Sequence, residues 1–320
     1  MKRRRRRSIR SAPPMPRIAA ITMAFNEPEF LPVWVEHYGR MIGHDHLYVV
    51  SYADHAQRND PFRRHQLIDL PDVGFDEGKR AAMMSSLQSM LLASYDWVIM
   101  SDADELIVPD PARYASMEDF LETNRADPYF NTVGLNVVQD RGLEPALDAR
   151  KPLLRQRSWV QFDAQYCKPL VSRVPLNWSP GFHACDRPRR QSNDLYLFHL
   201  RAADEMVARA RIARLNALKM SQADLMAGHS RQFGFDADRY LDHVFPNPSA
   251  FCAAADDFDL AADIEHLRNA PHAFDHRGRL CRIPERFRDA IALAPAPASR
   301  KREGMRALLD KARRHFRIEQ

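Results

Sequence analysis

The stretch Tyr95-Asp-Trp-Val-Ile-Met-Ser-Asp-Ala-Asp-Glu-Leu-Ile-Val-Pro109 constrains the fold more than any other. Trp97–Met100 is a short apolar run of the kind that forms a buried parallel strand. Three acids follow at once, Asp102, Asp104 and Glu105, before a second apolar run, Leu106–Val108, stops at Pro109. Charges at the edge of a core must be paired, hydrogen-bonded or bound to metal. In an extended chain Asp102 and Asp104 point to the same side. Two hard oxygen donors aimed together suit Mn²⁺ or Mg²⁺, ions that fill their remaining positions with water and substrate phosphates. The competing reading is a solvated loop with a helix-capping Asp.

Upstream, Ile18–Met23 predicts a first buried strand that delivers Asn26 and Glu27 at its C-terminal end. Phe30, Leu31, Trp34, Val35, Tyr38 and Met41 recur at helical spacing over 29–41, and Gly43 ends the helix. Strands follow at 46–50 and 66–70, with a polar loop over 51–64, and a second helix spans 78–94. This β-α-β-β-α-β order predicts an α/β fold with a mostly parallel central sheet flanked by helices. Ligands of such sheets bind beyond the strand C-termini, where Asn26, Glu27, Asp102 and Asp104 fall. No Gly-x-Gly-x-x-Gly and no Walker loop is present, so dinucleotide and P-loop readings lose their main support.

After Pro109 the pattern predicts a short helix at 116–125 with Ser116 as N-cap, and strands at 132–138, 159–162, 168–174 and 194–200. A long helix is expected over 203–226, and candidate helices at 283–291 and 304–316. The chain divides into a basic tail (1–16), an α/β domain (17–227) and a helical or irregular C-terminal extension (228–320). The net charge of +5 sits largely in the tails. Lys2–Arg7 is an unbroken basic run, read as a disordered tail or as a weak peripheral contact with anionic membrane. No aromatic interleaving accompanies it, so no nucleic-acid partner is expected. Four widely spaced cysteines and no apolar run of membrane-spanning length predict free thiols in a cytoplasmic protein, peripheral on the inner membrane face at most.

Three segments together resemble a known family: Met23-Ala-Phe-Asn-Glu-Pro-Glu-Phe-Leu-Pro-Val-Trp-Val-Glu-His-Tyr38, His44-Asp-His-Leu-Tyr-Val-Val50 and Trp97–Pro109. They are similar to the glycosyltransferases of families 2 and 92, and more narrowly to the bacterial family 2-like domain with an Asn-Glu start and an Asp-x-Asp-Glu turn. The resemblance covers roughly residues 17–220. It implies the GT-A nucleotide-diphospho-sugar transferase fold and a nucleotide-sugar donor, UDP-linked, with a hydroxyl acceptor on a polysaccharide or glycolipid. It implies that Asn26 and Glu27 lie beside the nucleotide base, that Asp102 contacts ribose or metal, and that Asp104 holds metal and diphosphate. Lys168-Pro-Leu-Val171, Gly181-Phe-His183, Tyr196-Leu-Phe-His199 and Arg201 to Glu205 match later family segments. The second strand departs from the family, running Ser51-Tyr-Ala-Asp54, so Asp54 is a candidate base or ribose contact.

The candidate chemistry follows. His199 would complete a metal shell of Asp102 and Asp104, which tilts the ion toward Mn²⁺; otherwise it is a core histidine on a backbone carbonyl. Lys168 and Arg80, the latter near a helix N-terminus, would neutralise diphosphate. His183 is the alternative third metal ligand or an acceptor contact, and Glu105 and Arg201 are candidate acceptor-side contacts. An inverting hexosyl transfer needs a carboxylate base, and Asp186 is favoured because it shares a loop with His183. The alternatives are a non-catalytic nucleotide-sugar-binding relative or membrane-peripheral scaffold, and, more weakly, nucleotidyl transfer.

Overall fold

The computed structural model describes residues 15–52, 63–71, 76–216, 226, 234–270, 272 and 274–293. Strand β1 (Ile18–Ala24) is buried along its whole length, which places it inside a sheet covered on both faces. It pairs in parallel with β2 (Leu47–Tyr52) on one side and β4 (Trp97–Met100) on the other, and β2 pairs in parallel with β3 (Gln66–Leu70). Helix α1 (Leu31–Ile42) starts with Pro32 in its first turn and stops at Gly43, whose φ of 89° suits glycine. Helix α2 (Glu77–Leu91) is capped by the Asp76 side chain, which accepts from the Lys79 amide.

The sheet changes character beyond β4. Strands β6 (Tyr129–Val138), β7 (Trp159–Asp163), β8 (Pro169–Ser172) and β10 (Arg277–Arg282) extend it, giving the order β10-β7-β6-β8-β4-β1-β2-β3. All of the joins from β4 outward to β10 are antiparallel. The sheet is therefore mixed: the parallel half is the one the sequence pattern described, and the antiparallel half was not expected. The second apolar run of the acidic stretch forms β5 (Glu105–Pro109), antiparallel to β9 (Gln191–Ala202), and β9 runs parallel to β6. Helix α3 (Met117–Thr123) carries the expected Ser116 cap, whose hydroxyl accepts from the Asp119 amide at 3.2 Å.

The first half of the long helix expected over 203–226 is α4 (Glu205–Leu215). Helix α5 (Ala237–Val244) packs on it through a small apolar cluster of its own: Ala202, Ala208, Ile212, Tyr240, Leu241, Val244 and Phe245. The chain after residue 228 also contributes β10 and buried residues of the main core, Leu260, Ile264, Leu267, Ile283 and Phe287. The helix expected at 283–291 is instead a single 3-10 turn, Glu285–Phe287, because Pro284 precedes it and its apolar residues plug the core rather than line one face. The helix expected at 304–316 lies outside the described residues. All four cysteines are unpaired, with Cys167 and Cys281 buried. Among the described residues no helix is long and apolar enough to cross a membrane.

Candidate functional site

Helix α1 braces the acidic stretch from below. Trp34 Nε1 donates to Ser101 Oγ at 2.9 Å, and Ser101 Oγ donates to the Tyr38 hydroxyl at 3.2 Å. That hydroxyl accepts from the Ile107 amide at 3.0 Å, so the buried faces of Trp34 and Tyr38 fix both β4 and β5. Between them the chain turns: the Glu105 amide donates to the Asp102 carbonyl at 3.0 Å. The turn breaks the two-residue alternation on which a shared direction for Asp102 and Asp104 depended.

The two carboxylates consequently have different partners. Asp102, 28% exposed, accepts from Lys168 Nζ at 3.1 Å and lies 3.5 Å from Arg80 Nη2. Asp104 Oδ2 accepts from Arg211 Nη1 at 2.7 Å and sits 3.2 Å from His199 Nε2. The β5–β9 register sets the second arrangement, because Glu105 stands opposite His199 and the Leu200 amide donates to the Asp104 carbonyl. Glu105, 1% exposed, accepts from Lys168 Nζ at 2.6 Å.

Burial pushes every carboxyl here upward, and the local cations decide the outcome. For Asp104 burial is outweighed by Arg211 and then His199, which hold the carboxyl far below the usual range. For Asp102 burial is outweighed by Lys168 and Arg80, so it too is lowered. Glu105 is the exception: burial, with Asp102 and Asp104 adding to it, outweighs Lys168 and raises the group to about 7. Glu27 is also raised by burial, against the pull of Arg211. His199 is lowered to about 4 by burial despite Asp104, and is a neutral imidazole at pH 7. Its Nδ1 contacts Asn136 Oδ1 at 2.8 Å, a side-chain partner rather than a backbone carbonyl.

The expected metal set is not gathered. Among the described residues no group of three or more His, Cys, Asp or Glu side chains is arranged to hold an ion. Asp104 and His199 adjoin, but Arg211 already occupies the carboxylate, and Asp102 faces Lys168 and Arg80. Glu27, Glu77, Asp102, Asp104 and Glu105 meet Arg80, Lys168, Arg201 and Arg211, so the corner is close to neutral from its own side chains, and Glu105 half-titrates near pH 7. The donors present do not fit a bound divalent ion in this arrangement.

Other expected residues are distributed as follows. Glu27 accepts from Arg211 Nε and Nη2 at 3.1–3.2 Å, within electrostatic range of Asp104. Asn26 is exposed with φ 47°, and its carbonyl accepts from Arg214 Nε at 3.2 Å. Arg80 bonds Glu77 at 2.9 Å and lies over the Phe182 ring. Phe182 has φ 60°, an unusual value for a bulky residue, and holds the turn that carries His183. His183 Nδ1 is 2.7 Å from the Gln165 carbonyl, and burial, with Lys168 adding to it, lowers the ring to about 4. Asp186 stands apart: it is exposed, and its two oxygens accept from the Asn177 amide and side chain at 3.0 and 2.7 Å. Asp54 and Lys2–Arg7 lie outside the described residues.

Three contributors were missed from the sequence. Arg211 ties α4 to Glu27 and Asp104, and Arg214, one turn on, pairs with Glu29. Their i, i+3 spacing puts them on one helix face but names no partner, since Arg209 stands in the same arginine-rich helix. Tyr166 carried no signal. It lies on a 3-10 turn, Ala164–Tyr166, and stacks on His199 with ring centroids 4.0 Å apart. Lys168 Nζ is 5.5 Å and Arg201 Cζ 5.1 Å from the same ring. Gly134 on β6 admits this turn, since a Cβ there would stand 2.4 Å from the Tyr166 carbonyl carbon.

No family model matches the chain, and no curated protein does. Solved structures resemble it distantly. CMP:2-keto-3-deoxy-manno-octonic acid synthetase complexed with CTP is 12% identical over 67% of this chain and 83% of its own, with a TM-score of 0.28. Mannose-1-phosphate geranyltransferase from Thermus thermophilus is 12% identical over 72% and 68%, with a TM-score of 0.27. The inositol-1-phosphate CTP transferase from T. maritima is 15% identical over 43% and 59%, with a TM-score of 0.24. TM-scores this low leave the reading of the site to the chain's own residues.

Proposed function

We propose that the chain is a glycosyltransferase of GT-A type that moves a hexose from a nucleotide-diphospho-sugar, UDP-linked, to a hydroxyl of a polysaccharide or glycolipid. The observation that carries the proposal is the gathering of Glu27, Asp102, Asp104, Glu105, Lys168 and His199 beyond the C-terminal ends of parallel strands β1 and β4. Open α/β sheets bind their ligands at that edge. In the reaction the acceptor oxygen attacks the anomeric carbon, the bond from that carbon to the diphosphate breaks, and the acceptor proton passes to a base. The protein's part is to position the sugar and to offer cations to the charge that grows on the leaving diphosphate. The divalent ion expected from the sequence is not part of this reading, because its three donors are not brought together.

One observation favours a second reading, a non-catalytic nucleotide-sugar binder: each acid at the corner already has an ion-pair partner. Incubation with a panel of nucleotide sugars, with and without Mn²⁺, separates the two. Release of nucleoside diphosphate from a UDP-sugar supports the transferase. Binding of UDP without turnover under any condition supports the binder, and absence of any nucleoside diphosphate binding overturns both.

A further inference from the structure

Among the described residues, Arg201 is the arginine at this corner whose side chain makes no hydrogen bond. It lies two residues after His199 on β9, both side chains lie against the Tyr166 ring, and its own side chain is only 13% exposed. Its Nε is buried with no partner, and no hydrogen bond to its other nitrogens is found among the described residues. Among the described residues its one carboxylate neighbour within salt-bridge range, Asp163, is 3.9 Å away, beyond hydrogen-bond reach. Asp163 is itself committed: Oδ2 accepts from Asn136 Nδ2 at 2.9 Å and lies 3.3 Å from Arg277 Nε, and Oδ1 accepts from the Gln165 amide at 3.1 Å. A guanidinium fork so withdrawn from water and so poorly matched costs stability.

The surroundings favour an incoming anion. The Tyr166 ring lies against the guanidinium, with Arg201 Cζ 5.1 Å from its centroid, a contact that uses the face of the cation and none of its N–H donors. Lys168 approaches the same ring, and His199 beside it is neutral. From helix α5, Tyr240 and His243 lie within electrostatic range of Arg201, and neither carries negative charge at neutral pH. Arg80, Lys168 and Arg211 are each matched to carboxylates, so Arg201 holds the corner's unspent positive charge.

We propose that Arg201, backed by Tyr166, is an anion subsite that grips the diphosphate of the donor in place of a metal bridge. The identity of the anion rests on the nucleotide-sugar reading; the existence of the subsite does not. A fork-to-phosphate contact of this kind changes affinity by about 10- to 100-fold.

The test uses the full chain in chelator, with inorganic pyrophosphate, UDP and uridine as probes, followed by thermal unfolding and titration calorimetry. Pyrophosphate should raise the Tm of the wild type by several degrees at saturation. Arg201→Gln should lose that shift, and its ligand-free Tm should be unchanged or higher, since a buried donor without a partner has been removed. Arg201→Lys should keep part of the shift. UDP should bind more tightly than uridine in the wild type and no more tightly in Arg201→Gln. A pyrophosphate shift that survives Arg201→Gln, or its absence in the wild type, overturns the subsite, as does a markedly lowered ligand-free Tm, which marks Arg201 as structural. Pyrophosphate binding through Arg201 with no added affinity for UDP sustains the subsite and overturns the nucleotide reading instead.

Discussion

Replacing Lys168 with Met should create a pH-dependent weakness whose size follows from the geometry. Lys168 is 2% exposed and bonds Glu105 at 2.6 Å and Asp102 at 3.1 Å. Burial pushes Glu105 up to about 7 in the wild type, with Lys168 restraining the rise. Above that pH the carboxylate is ionised in both folded and unfolded chains, so it adds no further slope to stability. Without the ammonium, burial acts unopposed by its nearest cation and the folded-state pKa climbs further, while the unfolded value stays near 4.3. The folded variant then holds a proton that the unfolded chain lacks, and its stability relative to the wild type falls by about 1.4 kcal/mol per pH unit above 7. Urea denaturation of both proteins from pH 6 to pH 9 should show the gap widening by up to about 3 kcal/mol between pH 7 and 9. In Lys168→Met/Glu105→Gln the widening should vanish. A gap that stays constant or narrows over this range refutes the coupling of Lys168 to Glu105.

Further outcomes follow from the same corner. Arg211→Met strands Glu27 and Asp104 without their shared cation, so urea denaturation at pH 8 should show a loss of about 3–5 kcal/mol; a loss below about 1 kcal/mol would mean the pairs are dispensable. His37, His183 and His199 are each lowered to about 4 by burial, so the unfolded chain takes up their protons near pH 6.5 and the folded chain does not. Glu105 opposes with one proton, leaving a net fall in stability of about 2–3 kcal/mol per unit as the pH drops from 6 to 5, and a flat profile there would contradict the burial of these rings. Gly134→Ala forces a methyl into the Tyr166 turn; it should cost about 1–3 kcal/mol and diminish the pyrophosphate shift, whereas a normal shift would detach Tyr166 from anion binding. Asp186→Asn should leave donor turnover within about twofold, because the carboxylate is occupied by Asn177 away from the corner; a loss of about 10²-fold or more would return it to the chemistry.

The parallel half of the sheet could be read from the chain because its signals are local. Ile18–Met23 and Trp97–Met100 are continuous apolar runs, and α1 carries its apolar residues at helical spacing with Gly43 to stop it. The antiparallel half resisted because β5 and β9 pair across ninety residues of chain, and register of that kind leaves no mark in either strand. For the same reason Asp104 and His199 could be expected near one another from their strand ends, while the turn that diverts Asp102 toward Lys168 could not. Arg211 was visible only as one arginine among many in an arginine-rich helix; that it reaches Asp104 depends on how α4 lies against β9. Tyr166 depends on Gly134, a glycine inside a strand, whose role shows only when the facing turn is known.

Helices α4 and α5 share a small apolar interior that also takes in Ala202 of β9, and Val207 of α4 packs on the main core, whereas the tie from α4 to the acidic corner is ionic: Arg211 to Glu27 and Asp104, and Arg214 to Glu29. Those two kinds of cohesion respond oppositely to dissolved sulfate or sodium chloride: ionic attachment weakens with ionic strength, whereas apolar cohesion holds or tightens. Raised salt should therefore loosen the grip of Arg211 and Arg214 on the corner while the apolar seat of both helices on β9 holds, so that amides near the acidic corner gain hydrogen exchange before those of either helix.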